Sequence, residues 1–443
     1  MEKKFFFNSF LILIVFSISL FTTIWGPHLW GGIVGMTLLV LISFLVSKLD
    51  ILHPLTWFSP VFYLYSISAP LLVAIGETAY INYDKTLFIE WIALFVFIVL
   101  IGKPKKIDLK DSTEKIASLD VIVFPIFVVS TVLTFTYLGY VYTSGIDSKY
   151  TLTNDNSIFR IFVPFFSIFI LSFTILLTHS FAVKKKFPKF LVIFSLAYSV
   201  LALLIIGERD IVLRIGIVLV LLYHIFYKKI KKKNLVLVAL IMLISIPIMG
   251  NLRNSAVSGS IDKIEEEKSI LVETLNSEFI AAPRNLQIVL DYEDLWTYFY
   301  GETYLWDLKM AFVQGDNSAA VWFNNTFFPD LVRIGGGNGF TIVGEGYINF
   351  GILGVIAIFA FLALFLRVLY NQAIKNILWL IVYITSIPIF LYLIRGDLAV
   401  LFANVSKHII LPLLIIYFVK IIVKKRLRRQ NMINNFKKEK YIT

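Results

Sequence analysis

KKIKKKNLVLVALIMLISIPIMG, residues 228–250, is the stretch on which the fold turns. Five lysines (228, 229 and 231–233) give way at Asn234 to a run without charge that continues to Gly250. Such a run reads as a membrane-crossing helix, because a hydrocarbon core of roughly 30 Å needs about 20 apolar residues at about 1.5 Å each. Lysines collect on the cytoplasmic side of such helices. The preceding run, 211–227, is also apolar, so the lysines occupy a short cytoplasmic turn between two spans.

Working outward, apolar runs fall at 5–25, 31–47, 54–75, 87–102, 119–141, 159–182, 188–206, 211–227, 234–250, 342–366, 377–394 and 398–421. Alternated from a cytoplasmic N-terminus, these twelve spans keep every lysine cluster inside: 103/105/106, 184–186, 228–233 and the tail 424–429. One helix more or fewer would carry some clusters across. The expectation is an all-α polytopic membrane protein with about twelve transmembrane helices and both termini cytoplasmic. Nine spans occupy 1–250, a large external loop 251–341, three further spans 342–421, and a basic cytoplasmic tail 422–443. Prolines 60, 70, 125, 164, 247, 388 and 412 read as kinks tolerated within spans.

Composition agrees. The chain is 58% hydrophobic and only 16% charged, against about a quarter charged in soluble domains. The net charge of +12 is mostly lysine at the cytoplasmic face, where it favours anionic lipid rather than nucleic acid. The absence of cysteine excludes disulfides and thiolate metal sites. The start Met1-Glu2-Lys3-Lys4 resembles a signal peptide, but no small-x-small site follows, and a retained first helix is expected.

The loop 251–341 is far longer than an ordinary connection, and such segments usually carry function. Ile264, Ile270, Leu271, Leu275 and Phe279 recur at helical spacing, so a helix is expected over Asp262–Ala282, ended by Pro283. Residues 295–313 hold Trp296, Tyr298, Phe299, Tyr300, Tyr304 and Trp306. Such a stretch lies on the membrane or caps the bundle, and its rings suit either an interfacial helix or sugar stacking.

Basic residues divide by type as well as by side. In this topology the cytoplasmic segments hold 24 Lys and 4 Arg, whereas the outer half holds 6 Lys and 7 Arg. Orientation explains the lysines and leaves the outward arginines unexplained. Guanidinium is suited to gripping phosphate through a planar, permanently charged fork. Two of these arginines, Arg209 and Arg214, flank a tight turn, Gly207-Glu208-Arg209-Asp210. Asp210 and Arg214 stand four apart, so an ion pair competes with a phosphate-binding role. Arg395 sits in a second short turn, Arg395-Gly396-Asp397. Arg284 and Arg333 lie in the large loop, whereas Arg160 reads as interfacial and Arg253 stays open.

The loop ends in Arg333-Ile334-Gly335-Gly336-Gly337-Asn338-Gly339-Phe340 and enters a helix through Thr341-Ile342-Val343-Gly344-Glu345. Glycines ahead of a helix free backbone N–H groups for an anion, so a pyrophosphate cradle competes with a flexible connector. No Lys-Ser/Thr follows, which excludes a Walker loop. Glu345, in the first turn, either complements its helix dipole or serves as a general base. Asp291, Glu293 and Asp294 could seat a divalent metal, though a solvated acidic face is the commoner outcome. His408 lies mid-span and reads as a core residue, and the large loop has no histidine.

Residues 339–354, Gly-Phe-Thr-Ile-Val-Gly-Glu-Gly-Tyr-Ile-Asn-Phe-Gly-Ile-Leu-Gly, resemble a stretch of the Wzy-type O-antigen or capsule repeat-unit polymerases. The Gly207-Glu208-Arg209 turn is similar to a Gly-x-Arg turn of that group, as is the layout with one large late loop. The resemblance implies an inverting, metal-independent glycosyltransferase of GT-C type in the bacterial plasma (inner) membrane, without a cofactor. Undecaprenyl-pyrophosphate-linked oligosaccharides would be donor and acceptor, with membrane lipid as surroundings and a chain-length regulator protein as a conceivable partner. Arg209, Arg214, Arg284, Arg333 and Arg395 form the pool from which pyrophosphate ligands are expected to come, and Glu345 is the candidate base. A lipid-linked oligosaccharide flippase is the first alternative. An O-antigen ligase is the second, and the related ligases use a loop histidine that this chain lacks.

Overall fold

The computed structural model describes residues 2–24, 28–109, 116, 119–144, 157–206, 209–235, 237, 270–276, 278–312, 317–333 and 336–439. Every regular element among them is helical. The first eight helices are α1 (Glu2–Ile24), α2 (His28–Ser47), α3 (Pro54–Ala74), α4 (Asp84–Ile101), α5 (Asp120–Thr143), α6 (Ser157–Ala182), α7 (Lys189–Ile206) and α8 (Arg209–Leu222). The long connection contributes α9 (Ile270–Asn276), α10 (Ala281–Asp291), α11 (Glu302–Phe312), α12 (Ala319–Phe327) and α13 (Pro329–Arg333). The chain closes with α14 (Ile342–Ala373), α15 (Ile377–Leu393), α16 (Leu398–Val405) and α17 (Leu411–Glu439).

Eight helical stretches among the described residues are long and apolar enough to cross a membrane, and two apolar helices, Leu11–Ile24 and Ile377–Leu393, are shorter. Helix α4 coincides with the apolar run 87–102 but carries Asp84, Lys85 and Glu90. All of the run 234–250 except residues 234, 235 and 237 lies outside the described residues, as do Arg253 and residues 262–269 of the helix expected in the loop.

Two compact units are present. One comprises residues 1–109 and 229–403, the other 110–228 and 404–443. In the second, α5 packs on α6 and α7, and α8 on α6 and α7. Phe127, Phe169 and Tyr198 form part of its aromatic core. A π-helical turn at Ser406–Ile410 points His408 at Ser167, with Nδ1 and Oγ 2.6 Å apart. That satisfies the ring as a core histidine.

In the first unit, α2 packs between α1 and α3, and α14 lies along α4. The long connection is docked on this bundle. Val272 and Leu275 of α9 bury against Leu72 of α3. Helix α10 packs on α3 and α4 and buries Ala282, Leu286, Val289 and Leu290. Polar anchors fix the register: Ser68 donates to the Phe279 carbonyl at 2.7 Å, and Thr86 to the Gln287 side chain at 2.6 Å. Pro283 does not end a helix as expected. It occupies the first turn of α10, where a missing N–H deprives no carbonyl of a partner. The 3-10 turn Glu278–Ile280 and the fresh start at Ala281 mark the boundary instead.

Helix α14 is broken. Phe350 (φ −143°, ψ 26°) and Gly351 (φ 60°, ψ −142°) depart from helical geometry, dividing a buried half-helix at 342–349 from the apolar length that follows. A helix end leaves carbonyls without partners, and buried ones must be satisfied. Here Phe299 and Tyr300 donate their N–H groups to the carbonyls of Ile348 and Asn349 at 3.0 and 3.2 Å. The glycines of the 339–354 motif serve this geometry. Gly351 takes a positive φ, and Gly346 and Gly354 bring their backbones into contact. A Cβ on Gly354 would stand 2.0 Å from the Gly346 carbonyl oxygen, and backbone cannot yield as a flexible side chain can. Gly354→Ala is therefore expected to abolish the folded protein, seen as loss of a monodisperse peak from detergent extracts.

Candidate functional site

Three buried carboxyl groups meet around the half-helix that opens α14. Thr341 caps that helix, accepting the Val343 N–H at 3.3 Å, and Glu345 follows one turn in, fully buried. Its Oε2 accepts the N–H of Leu398, the first residue of α16, at 2.8 Å. Glu345 thus complements the amino end of a different helix from its own, where a carboxylate meets an unpaired N–H and a favourable dipole. Its Oε1 lies 3.4 Å from the Thr303 hydroxyl. Asn349, one turn further along, donates to Thr303 Oγ1 at 2.7 Å and to the Glu345 carbonyl at 2.8 Å, and accepts from the Gly301 N–H at 2.9 Å. The half-helix, the turn at 298–301 and α11 are therefore tied into one block.

Asp397 is the second carboxyl. It ends the Arg395-Gly396-Asp397 turn and accepts N–H groups from Val400 at 3.0 Å and Ala320 at 2.9 Å. It caps α16 and pins the start of α12 to the bundle. The third is Asp307 of α11, fully buried, with neither oxygen in regular hydrogen-bond geometry among the described residues. Burial, opposed by Glu345 and by the amides of Ala319 and Ala399 and reinforced by Asp397, raises the Asp307 carboxyl to about 7.

Helix α11 is inverted relative to an ordinary amphipathic helix. It buries Thr303 and Asp307, four residues apart, and exposes Leu305 and Leu308. Polar groups turn inward where they meet the carboxyl cluster. The exposed leucines suit a membrane surface.

The arginines fall into separate neighbourhoods. Asn285, which follows Arg284, donates to the Gly339 carbonyl, and the Gly339 backbone abuts the Arg395 carbonyl so closely that a Cβ there would sit 2.6 Å from it. Arg284 and Arg395 thus belong to segments that meet at Gly339. Arg395 is half-buried with its guanidinium over the Tyr392 ring, 4.6 Å from the centroid. Arg284 is exposed, and its charge bears on the buried Tyr83 hydroxyl. Arg333 is exposed on α13 and pairs with Asp330 at 2.9 Å. In the other unit, Arg214 is buried and pairs with Asp210 at 2.5 Å, the ion pair their spacing suggests. Arg209 begins α8; its side chain lies outside the described residues.

The glycine-rich entry differs from a free anion cradle. Its backbone N–H groups at Gly336 and Asn338 are taken by the Leu331 carbonyl at 2.9 Å and Asn324 Oδ1 at 2.6 Å, and Asn324 also donates to the Asn338 carbonyl at 2.8 Å. Gly339 is required by close backbone approach rather than by anion access.

The acidic group near Glu293 is engaged as well. Lys85 and the Tyr347 hydroxyl bind Glu293 Oε1 at 2.5 and 2.6 Å, and Asp291 accepts from Gln287 at 2.6 Å. Burial pushes the Glu293 carboxyl up, but these two partners outweigh it and hold it below its usual range. Around it Trp296, Tyr298 and Tyr347 lie edge to face or tilted, their centroids 5.4–6.5 Å apart. Tyr298, Tyr300 and Tyr292 remain exposed.

Fold and site together define a multi-pass, all-helical membrane protein whose long connection is locked onto a broken helix carrying a buried acid. The chain matches the O-antigen polysaccharide polymerase Wzy family over residues 4–426, nearly its whole length, and belongs to that family. No curated protein and no solved structure matches it. The sequence singles out Glu345 and the Arg395 turn through charge in a membrane setting. It passes over Asp307 and Asn349. An Asn four residues after Glu345 was the available signal for the latter, since the two share a helix face.

Proposed function

We propose that the protein polymerises undecaprenyl-pyrophosphate-linked oligosaccharide repeat units at the outer face of the bacterial plasma membrane. The growing chain passes from its lipid carrier to a hydroxyl of the next lipid-linked unit with inversion at the anomeric carbon. The supporting observation is the placement of Glu345. A buried carboxyl group stands at the head of a broken helix, with the Arg395 turn three residues before the amide it binds.

The chemistry follows from the leaving group. Pyrophosphate departs readily when positive charge meets the charge it develops, so arginines can serve where a metal otherwise would. Arg395 and Arg284 belong to segments that meet at Gly339, and Arg333, Arg209 and Arg214 complete the pool. Glu345 takes the proton from the acceptor hydroxyl. The reading includes twelve spans in a GT-C-like arrangement, both termini cytoplasmic, 251–341 as the outer loop and 422–443 as the basic tail. Donor phosphates at the membrane surface then lie level with the outward arginines.

Purified protein incubated with a lipid-linked repeat unit should yield a ladder of lengthened lipid-linked glycans on a gel. Unlengthened lipid that moves across a vesicle wall would instead identify a flippase, and transfer to a lipid A core without lengthening a ligase.

A further inference from the structure

We propose that the rings of Trp296, Tyr298 and Tyr300, with the Lys85–Glu293 ion pair beside them, form a sugar-binding subsite that holds the glycan of a lipid-linked repeat unit. The subsite rests on the polymerase reading and gives the glycan a place separate from the arginine pool and from Glu345.

Tyr300 is the strained member. Its φ of 48° lies in the left-handed region, where a bulky side chain is an outlier. Such strain persists only where the surroundings over-determine it, and it gathers at ligand clamps. Here the Tyr300 N–H is bound to the Asn349 carbonyl at 3.2 Å, and the next N–H, of Gly301, to the Asn349 side chain at 2.9 Å. The strain gains the fold little packing, because Tyr300 is 74% exposed. Asn or Gly would sit at this φ with less strain. A tyrosine held against its preference, with its ring left outside, is placed to meet something other than this chain.

The neighbouring rings are fixed as well. Trp296 donates its indole N–H to the Val289 carbonyl at 3.1 Å and stands edge-on to Tyr298, with centroids 5.4 Å apart. Tyr298 meets Tyr300 at 6.3 Å, and its hydroxyl lies against Gly351, 3.4 Å from where a Cβ would stand. Residues 296–299 form no helix, so the patch is not the interfacial helix that its composition also allows.

At the edge of the patch the Lys85 ammonium and the Glu293 carboxylate are both half-exposed. Lys85 also lies 5.5 Å from the centre of the Tyr347 ring, and that ring in turn meets Trp296 and Tyr298. Charges so placed are costly against hydrocarbon and suit a ligand with hydroxyls. A pyranose has both kinds of surface. Its C–H face lies on the negative face of an aromatic ring, and its hydroxyls donate to a carboxylate and accept from an ammonium. Rings that are already locked lose little entropy on stacking.

Both the growing chain and the incoming unit carry such a glycan, and the test separates them. Chain lengthening is measured with a preformed lipid-linked chain held constant and the single lipid-linked unit varied, then the reverse. Tyr300→Asn should raise KM about tenfold in the arm whose glycan the patch holds, the usual cost of truncating an aromatic anchor, with kcat little changed. Tyr300→Phe keeps the ring and should stay within about twofold of wild type. Because Asn relieves the left-handed backbone, Tyr300→Asn should melt in detergent at or above the wild-type temperature. A KM for Tyr300→Asn within about twofold of wild type in both arms would overturn the proposal, as would a rise in KM accompanied by a lower melting temperature. Absence of any ladder from the wild type would overturn the polymerase reading instead.

Discussion

Glu345→Gln is expected to stop chain lengthening, lowering the rate by about 10²–10⁴, the usual contribution of a general base. Glutamine has nearly the same volume, and its amide oxygen can still accept the Leu398 N–H that Glu345 accepts at 2.8 Å. Its amide can face Asp307, neither of whose oxygens is in regular hydrogen-bond geometry among the described residues. The variant should therefore fold, reach wild-type levels in the membrane and bind the lipid-linked unit while failing to extend it. Glu345→Ala is a poorer probe. It leaves a buried N–H unsatisfied at about 1–3 kcal/mol and opens a cavity in a region where 341–349 are all buried. A ladder from Glu345→Gln at the wild-type rate would reduce Glu345 to a cap for α16.

The spans were legible in the sequence because a membrane imposes one rule on backbone and side chains alike. Runs such as 54–75, 119–141 and 188–206 reappear as α3, α5 and α7 within a few residues. The site was legible only in part. Glu345 and Arg395 stood out because charge is rare beside apolar runs. Asp307 did not, because an amphipathic reading of Glu302–Phe312 turns Leu305 and Leu308 inward, and the folded helix does the reverse. The glycines misled for a related reason. Gly346, Gly351 and Gly354 were available to signal a helix break, yet the backbone contact that demands them joins positions eight residues apart and has no local signature. Asn324, which occupies the Asn338 N–H, comes from an adjoining helix of the same connection and could not be paired by spacing.

Arg395→Ala is expected to lower chain lengthening by about 10²–10³, the cost of removing one donor from a site where negative charge develops. Arg395 is better placed than its fellows for this. Its backbone is clamped against Gly339, its guanidinium lies on the Tyr392 ring, and two residues later Asp397 fixes the start of α16. An arginine held in this way spends little conformational entropy on meeting pyrophosphate. Arg333, by contrast, is an exposed member of an i, i+3 ion pair, a kind worth about 1 kcal/mol or less. Arg395→Lys should recover only part of the rate, because a point charge cannot match two phosphate oxygens as a planar fork does. Tyr392→Phe keeps the ring and should leave the rate within about twofold of wild type. The measurement is initial ladder formation at equal protein, with donor concentration varied. A loss confined to the Michaelis constant would assign Arg395 to ground-state binding, whereas a loss in kcat places it at the departing pyrophosphate. Wild-type kinetics in Arg395→Ala would remove this arginine from the pool and leave Arg284 as the other arginine whose segment meets Gly339.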